Sequence, residues 1–202
     1  MRFAVMASGR GSNFQALIDA HARGELPDVE LVQLIVNKRE AQAIARAEAV
    51  GIPWAFIDSG MLSRAEFDRH ALAVLRDCGA EAVVLAGFMR LLTPEFIGAF
   101  RHRILNIHPA LLPNFPGAHA HRDALAAGVN ESGCSAHLVD EGVDTGPIIL
   151  QQPVEILPGD TEEILAARIL PHEHRLLPEA VRLLAAGRLE VDGDIVRILP
   201  EK

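Results

Sequence analysis

Apolar and polar residues alternate between two kinds of segment along the first half of this chain. Short apolar runs predict strands at residues 2–7, 29–36, 53–57, 82–86 and 103–107. Apolar positions at helical spacing predict helices at residues 13–23, 39–50, 63–78 and 93–100. Ser63 is the expected N-cap of one of these helices, with Glu66 at the capping-box offset. Because strands and helices alternate, the pattern predicts a doubly wound α/β fold with a parallel sheet and right-handed crossovers.

The pattern changes after residue 110. A proline-rich loop leads to a predicted helix at 119–127 and to predicted strands at 135–139 and 147–156. A long helix is predicted at 161–186, and Pro171 and Pro178 are expected to break or kink it. A hairpin of residues 189–191 and 195–199 follows. No linker or repeat interrupts the chain, which favours a single domain.

Composition limits the classes of function. Half of the 202 residues are hydrophobic, which is typical of a globular protein. No apolar run approaches the roughly 18 residues of a membrane helix, so we expect no membrane association. The formal net charge of −8 argues against nonspecific nucleic-acid binding, which needs a basic surface. Cys78 and Cys134 follow no recognisable export signal, so we expect thiols rather than a disulfide, in a cytoplasmic protein.

A glycine-rich turn, Ser8-Gly9-Arg10-Gly11-Ser12-Asn13, follows the first predicted strand and opens a helix. Glycines permit a tight turn, and the N–H groups at a helix start favour an anion. Ser12 or Asn13 could cap the helix or donate to phosphate. Phe14 replaces the third glycine of a dinucleotide fingerprint, and no Gly-Lys-Ser/Thr is present. The turn suits a single phosphate; the alternative is a strand-to-helix turn that happens to be rich in glycine.

Asn106 and His108 lie at the end of the strand predicted at 103–107. Because alternate side chains of a strand share a face, both point to one side while Leu105 and Ile107 point into the core. Pro109 favours an extended backbone at His108. An amide donor beside a group that titrates near neutrality suits the stabilisation of a developing oxyanion. The alternative is a buried polar pair without a catalytic role.

These two motifs and several others, in the same order along the chain, resemble the phosphoribosylglycinamide formyltransferase family of purine biosynthesis. The matching segments are Ala7-Ser-Gly-Arg-Gly-Ser-Asn13, Leu85-Ala-Gly-Phe-Met-Arg-Leu-Leu92, Asn106-Ile-His-Pro-Ala-Leu-Leu-Pro113, Asp140-Glu-Gly-Val-Asp-Thr-Gly-Pro147 and Glu173-His174. The resemblance implies a mostly parallel Rossmann-like sheet with helices on both faces. It also implies one formyltransferase domain over residues 1–202, with a phosphate-binding half at 1–100 and a catalytic and folate-loop half at 101–202.

The resemblance implies formyl transfer from 10-formyltetrahydrofolate, as co-substrate, to the amine of 5-phosphoribosylglycinamide in IMP biosynthesis. The phosphate would bind Gly11, Ser12 and Asn13, and Glu173 would meet the ribose or glycinamide end. The implied folate-binding residues are Arg64, Met89, Arg90, Leu91, Leu92, Asn106 and Asp140. The implied catalytic trio is Asn106, His108 and Asp144. The chain departs from the usual family pattern at Ala110, where serine is usual, and at Ala120 and Leu177.

The implied chemistry needs neither a covalent intermediate nor a metal ion. Attack of the amine on the formyl carbon makes a tetrahedral oxyanion, to which Asn106 and a protonated His108 can donate. The Asp144 carboxylate would raise the pKa of His108. Judged without the resemblance, Asp144 could be a turn residue and Arg64 a solvated helix residue.

Nine histidines raise the possibility of a metal site. His119 and His121 are two residues apart, as are His172 and His174, whereas ligands on one helix face favour a spacing of four. We therefore expect no metal. His119 and His137 are expected near the trio with a packing role.

Three other functions compete with formyl transfer to the ribonucleotide. A methionyl-tRNA formyltransferase is expected to carry a further basic domain, and a formyltetrahydrofolate hydrolase an N-terminal regulatory domain. A non-catalytic nucleotide-binding module would not need Asn106, His108 and Asp144 together. We expect small-molecule partners, namely glycinamide ribonucleotide and folate, and a monomer or homodimer.

Overall fold

The computed structural model describes residues 1–201, in which the chain forms nine strands and six helices. It divides into two compact units, Met1–Leu105 and Asn106–Lys202. Strands and helices alternate through the first unit and the sheet strands there are parallel, which confirms the predicted α/β class. The single formyltransferase domain stays a prediction.

The first unit contains four parallel strands in the order β3-β2-β1-β4. Its elements are β1 Arg2–Ala7, α1 Ser12–Ala22, β2 Glu30–Val36, α2 Ala43–Ala49, β3 Trp54–Phe56, α3 Arg64–Asp77, β4 Ala82–Leu85 and α4 Pro94–Ala99. All four residues of β4 are buried, as the apolar run predicts. Because the strands are parallel, the loops after β1 and β4 leave from the same end of the sheet.

A local capping signal places the start of α3 but not that of α1. Ser63 caps α3, and the capping box with Glu66 is confirmed: the Ser63 N–H donates to Glu66 Oε2 at 3.0 Å. At the start of α1, capping is excluded as one of the two roles considered for Ser12 and Asn13. The N-cap of this helix is Gly11, without a side-chain cap, so neither Ser12 nor Asn13 caps it.

The second unit begins within β5, Ile104–His108. Its other elements are α5 Ala120–Ala127, β6 Glu131–Leu138, β7 Ile148–Glu155, α6 Glu162–Ala185, β8 Leu189–Asp192 and β9 Ile195–Ile198. Here β6 and β7 are antiparallel, β7 and β9 parallel, and β8 and β9 form the predicted antiparallel hairpin.

The long helix α6 is continuous over 24 residues and includes both prolines, so the predicted break is wrong. Each proline removes one backbone hydrogen bond, but packing outweighs that loss. Leu165, Ile169 and Leu177 form a buried stripe at helical spacing, and Pro178 is buried beside it. The helix packs against β6 and β7.

The two cysteines are thiols, as expected: Cys134 is buried in β6 and Cys78 is half-buried at the end of α3. Burial, with a smaller effect from the Glu173 charge, raises the pKa of Cys134 to about 12. Within residues 1–201, no helix combines the length and apolar character needed to cross a membrane.

Candidate functional site

The glycine loop, residues 8–13, lies between β1 and α1 in the first unit. The carbonyl of Gly9 accepts the Ala43 N–H at 3.2 Å, and that of Arg10 accepts Arg46 Nε at 2.9 Å. Gly11 has a left-handed φ of 68°, and a Cβ placed on it would lie 2.7 Å from Ala43 Cβ. Glycine is therefore required there by both backbone and space. The N–H groups that open α1 have no acceptor within the helix, which suits an anion.

The segment predicted to bind folate, residues 89–92, follows β4 and reaches the glycine loop. The Met89 N–H donates to Ser8 Oγ at 2.9 Å, and the Ser8 N–H donates to the Gly87 carbonyl at 3.1 Å. Met89 and Leu91 are exposed, whereas Leu92 is buried. Two exposed apolar side chains of this segment are thus available to a ligand.

Arg90 lies in the same segment, but its guanidinium already has protein partners. It donates to the carbonyls of Ser59 and Leu62 at 2.8 and 2.9 Å and lies over the Phe67 ring, 5.0 Å from its centroid. These contacts tie the segment to the loop that precedes α3. Arg64, the first residue of α3, is exposed. Folate contacts of Arg64 and Arg90 stay predictions.

The structure brings Asn106, His108 and Asp144 together in the second unit. Asp144 Oδ1 accepts Asn106 Nδ2 at 3.2 Å, and Asp144 Oδ2 lies 3.3 Å from His108 Nδ1. Asn106 and His108 reach one carboxylate because, as predicted, they leave β5 on the same face. His108 is buried and Asn106 half-buried.

Asp144 is held from a turn far along the chain. Its backbone has a left-handed φ of 53°, and its Oδ2 accepts the Gly117 N–H at 2.8 Å. Burial alone would raise the pKa of the carboxyl. The contacts with His137 and the Gly117 N–H, with the nearby charge of His108, instead lower this pKa to about 2. Asp144 is therefore ionised at neutral pH.

Both ring nitrogens of His108 face acceptors, since Nε2 lies 2.8 Å from the Phe115 carbonyl and Nδ1 faces Asp144. Burial lowers the pKa of His108 and outweighs the opposite effects of Asp144 and this carbonyl; His137 lowers it slightly further. Asp144 does act in the expected direction. The net result is nonetheless a pKa below the usual 6.5, because the ring is buried.

His137 is buried, as its expected packing role requires, but it also makes polar contacts within the cluster. Its side chain is 2 % exposed, and its Nε2 lies 3.0 Å from Asn106 Nδ2 and 3.5 Å from Asp144 Oδ1. Its Nδ1 lies 2.9 Å from the Leu138 carbonyl. If Nδ1–H donates there, Nε2 accepts from Asn106, so both hydrogens of the Asn106 amide have acceptors. The sequence signal that could have revealed this role was a polar side chain within a strand that is otherwise buried.

His119, by contrast, is exposed at the N-cap of α5, so the packing role expected of it is wrong.

Ser135, two residues before His137 on β6, positions the loop that follows His108. Its hydroxyl donates to the Ala110 carbonyl at 2.6 Å and accepts the Leu112 N–H at 3.0 Å. Gln151 Nε2, from β7, donates to the same hydroxyl at 2.8 Å. The backbone after His108 is thus fixed by side chains of two strands.

Asp140 and Glu173, the other two residues predicted to bind substrates in this region of the sequence, lie in the turn that carries Asp144 and on α6. Asp140 Oδ1 accepts the Gly142 N–H at 3.0 Å and the Thr145 hydroxyl at 2.7 Å, which shapes the turn that carries Asp144. Glu173 is buried on α6. Residues 1–201 contain no group of three or more His, Cys, Asp or Glu side chains arranged to hold a metal ion.

Comparison with known proteins identifies relatives over almost the whole chain. The formyl transferase family model matches residues 1–181. The crystal structure of glycinamide ribonucleotide transformylase 1 from Symbiobacterium toebii superposes with a TM-score of 0.96 at 45 % identity, covering 99 % of this chain and 94 % of that one. Phosphoribosylglycinamide formyltransferase of Escherichia coli (strain K12) is 40 % identical over 95 % of this chain and 90 % of its own length.

A second type of relative is much longer. The trifunctional purine biosynthetic protein adenosine-3 of Drosophila pseudoobscura pseudoobscura is 46 % identical over 99 % of this chain, but the chain spans only 15 % of that protein.

Proposed function

Because this chain belongs to the formyl transferase family, as its motifs predicted, we propose that it transfers a formyl group from 10-formyltetrahydrofolate to the amine of 5-phosphoribosylglycinamide. The observation that carries the proposal is the Asn106–His108–Asp144 cluster, with contacts of 3.2 and 3.3 Å to one ionised carboxylate. Relatives named as phosphoribosylglycinamide formyltransferases over nearly this whole length support the choice of acceptor.

The amine nitrogen attacks the formyl carbon, and the carbonyl oxygen becomes an oxyanion. Collapse of this intermediate breaks the bond to the folate nitrogen, which takes up a proton as the attacking amine loses one. His108 carries this proton through Nε2, since Asp144 holds Nδ1. The Nε2 contact with the Phe115 carbonyl is exchanged for the substrate in this step.

Asp144 assists without touching the reacting atoms. Its charge, 3.3 Å from Nδ1, stabilises the imidazolium that forms on the buried ring of His108. Asp144 and His137 take both N–H donors of Asn106, so the amide is fixed and its oxygen is left to accept a hydrogen from the attacking amine instead of donating to the oxyanion. Positioning of this kind is what a transfer without a covalent intermediate requires.

The remaining residues are assigned to binding. Gly11, Ser12 and Asn13 hold the phosphate of the ribonucleotide, supported by the loop geometry at the start of α1. The exposed Met89 and Leu91, with the backbone of residues 89–92, bind the folate, and Arg64 its glutamate tail. Asn106 and Asp140 also contribute to folate binding, and Glu173 meets the ribose or glycinamide end. A monomer or homodimer in the cytoplasm stays the prediction for its state in the cell.

The test follows the ultraviolet change on loss of the formyl group, with and without glycinamide ribonucleotide. We expect turnover only with the ribonucleotide, and formylated product in equal amount. Turnover without the amine would identify a hydrolase, and no turnover in either case a binding module.

The variant His108→Ala tests whether the cluster of Asn106, His108 and Asp144 carries out the chemical step. It should lower kcat by about 10² or more, as expected for a lost proton carrier, with the urea unfolding midpoint retained. The matched control is His70→Ala, which changes an exposed histidine of α3. Near wild-type turnover of His108→Ala would remove this residue from the mechanism.

A further inference from the structure

Helix α2 provides the surface on which the glycine loop rests. The Ala43 N–H donates to the Gly9 carbonyl, and Arg46 Nε donates to the Arg10 carbonyl, one turn later on the same helix. Ala43 also fills the space that a side chain on Gly11 would need. Three consecutive loop residues are thus held by one short stretch of α2.

These two hydrogen bonds fix the direction of the loop N–H groups. In a planar trans peptide the carbonyl and the following N–H point in opposite directions. Because the carbonyls of Gly9 and Arg10 point to α2, the N–H groups of Arg10 and Gly11 point away from it. Successive N–H groups on one side of a loop form a concave anion-binding surface. They continue along the chain into the N–H groups that open α1, which have no acceptor within the helix itself.

Arg46 connects this loop to a second helix. Its Nη1 donates to Gln15 Oε1 on α1 at 2.9 Å, while Nε holds the Arg10 carbonyl at the same distance. The guanidinium plane therefore sets the spacing between the loop, α1 and α2. Only arginine offers two N–H donors in such a fixed arrangement.

We propose that Arg46 is a positioning residue, which holds the glycine loop in the form that binds phosphate. The inference rests on the proposed function only for the identity of the anion, the phosphate of glycinamide ribonucleotide. Arg46 acts through the peptide of Arg10 and Gly11. It therefore contributes to ribonucleotide binding and leaves the folate and the chemical step unaffected.

The experiment compares Arg46→Gln and Arg46→Lys with the control Arg69→Gln. Arg69 is an exposed arginine of α3 whose hydrogen bond, 3.4 Å long, is to the Ala65 carbonyl of its own helix. The measurements are kcat, the KM of each substrate, and the NMR shifts of the Arg10 and Gly11 amides during titration with inorganic phosphate.

We expect Arg46→Gln to raise the KM for the ribonucleotide about tenfold or more, as for a lost charge-assisted hydrogen bond. The KM for the folate and kcat should stay within about twofold of wild type. Arg46→Lys keeps the charge but lacks the rigid, planar pair of N–H donors that fixes the loop against α1, so it should behave like Arg46→Gln. Both variants should lose the phosphate-induced shifts, and Arg69→Gln should match the wild type.

Two results would overturn the inference. One is a wild-type KM for the ribonucleotide in Arg46→Gln. The other is a wild-type KM in Arg46→Lys, which would show that Arg46 acts only through its charge. If Arg46→Gln fails to fold, Arg46→Lys decides alone. If wild type shows phosphate-induced shifts that the variants lose, but no ribonucleotide-dependent turnover, the loop inference stands and the proposed function falls.

Discussion

Gly11→Ala tests how strongly the glycine loop depends on its close approach to α2. Gly11 has a left-handed φ of 68°, and an added Cβ would lie 2.7 Å from Ala43 Cβ and 2.9 Å from Ala43 Cα. Neither atom can rotate away, because one is helix backbone and the other is fixed to it. The loop and α2 must separate to accommodate a single methyl group.

The expected loss of stability in Gly11→Ala has two parts. A left-handed backbone costs an alanine about 1 to 2 kcal/mol, and overpacking against a fixed neighbour costs about 1 to 3 kcal/mol. We therefore expect the free energy of unfolding to fall by about 2 to 5 kcal/mol. Separation also breaks the Ala43–Gly9 hydrogen bond, so the KM for the ribonucleotide should rise as well.

Alanine variants at two other glycines of the same unit distinguish the backbone cost from the steric cost when all are measured by urea unfolding. Gly24 has a φ of 74° and no atom beyond its chain neighbours within 4 Å of an added Cβ, so Gly24→Ala measures the backbone cost alone. Gly9 has neither a left-handed backbone nor such a neighbour, so Gly9→Ala should be nearly neutral in stability. If Gly11→Ala is no less stable than Gly24→Ala, the steric argument is refuted.

Three other variants test the polar contacts. Asp144→Asn removes a charge 3.3 Å from His108 Nδ1, so the pKa of His108, already lowered by burial, should fall further in an NMR titration. The folded variant then binds this proton more weakly than the unfolded chain does. As the pH falls from about 7.5 to about 5, its free energy of unfolding should therefore decrease by more than that of the wild type; equal decreases would contradict the coupling between Asp144 and His108. His137→Leu removes the acceptor 3.0 Å from Asn106 Nδ2 and should lower kcat about tenfold at similar KM, whereas unchanged kcat would deny it a positioning role. Arg90→Lys loses the two guanidinium nitrogens that each bond one loop carbonyl, so the KM for the folate should rise about threefold and hydrogen exchange at residues 59–62 should quicken; unchanged exchange would show that Arg90 does not hold this loop.

Structural elements that depend only on residues close to one another in the sequence could be predicted. The capping box at Ser63 formed because its two partners lie three residues apart on one helix turn. The break predicted at the prolines of α6 is wrong, because the local rule ignores burial. Pro178 is buried, and the packing of α6 on β6 and β7 keeps the helix continuous.

The site was predictable only where one strand carries it. The alternation of β5 placed Asn106 and His108 on one face, and the structure agrees. Asp144 came from the family resemblance alone, since its contact with His108 depends on a left-handed turn and on the Gly117 N–H, 27 residues away. His137 is 31 residues from Asn106, and no local pattern joins them. The depressed pKa of His108 could not be foreseen, because burial is a tertiary property.

In each unit, side chains hold a functional loop by its backbone. Arg46 bonds the Arg10 carbonyl in the first unit, and Ser135 bonds the Ala110 carbonyl in the second. A backbone carbonyl is the same in every residue type, so such contacts constrain the side chain that donates and not the residue that accepts. At Ala110 the loop therefore keeps its contact with Ser135 whatever side chain this position carries.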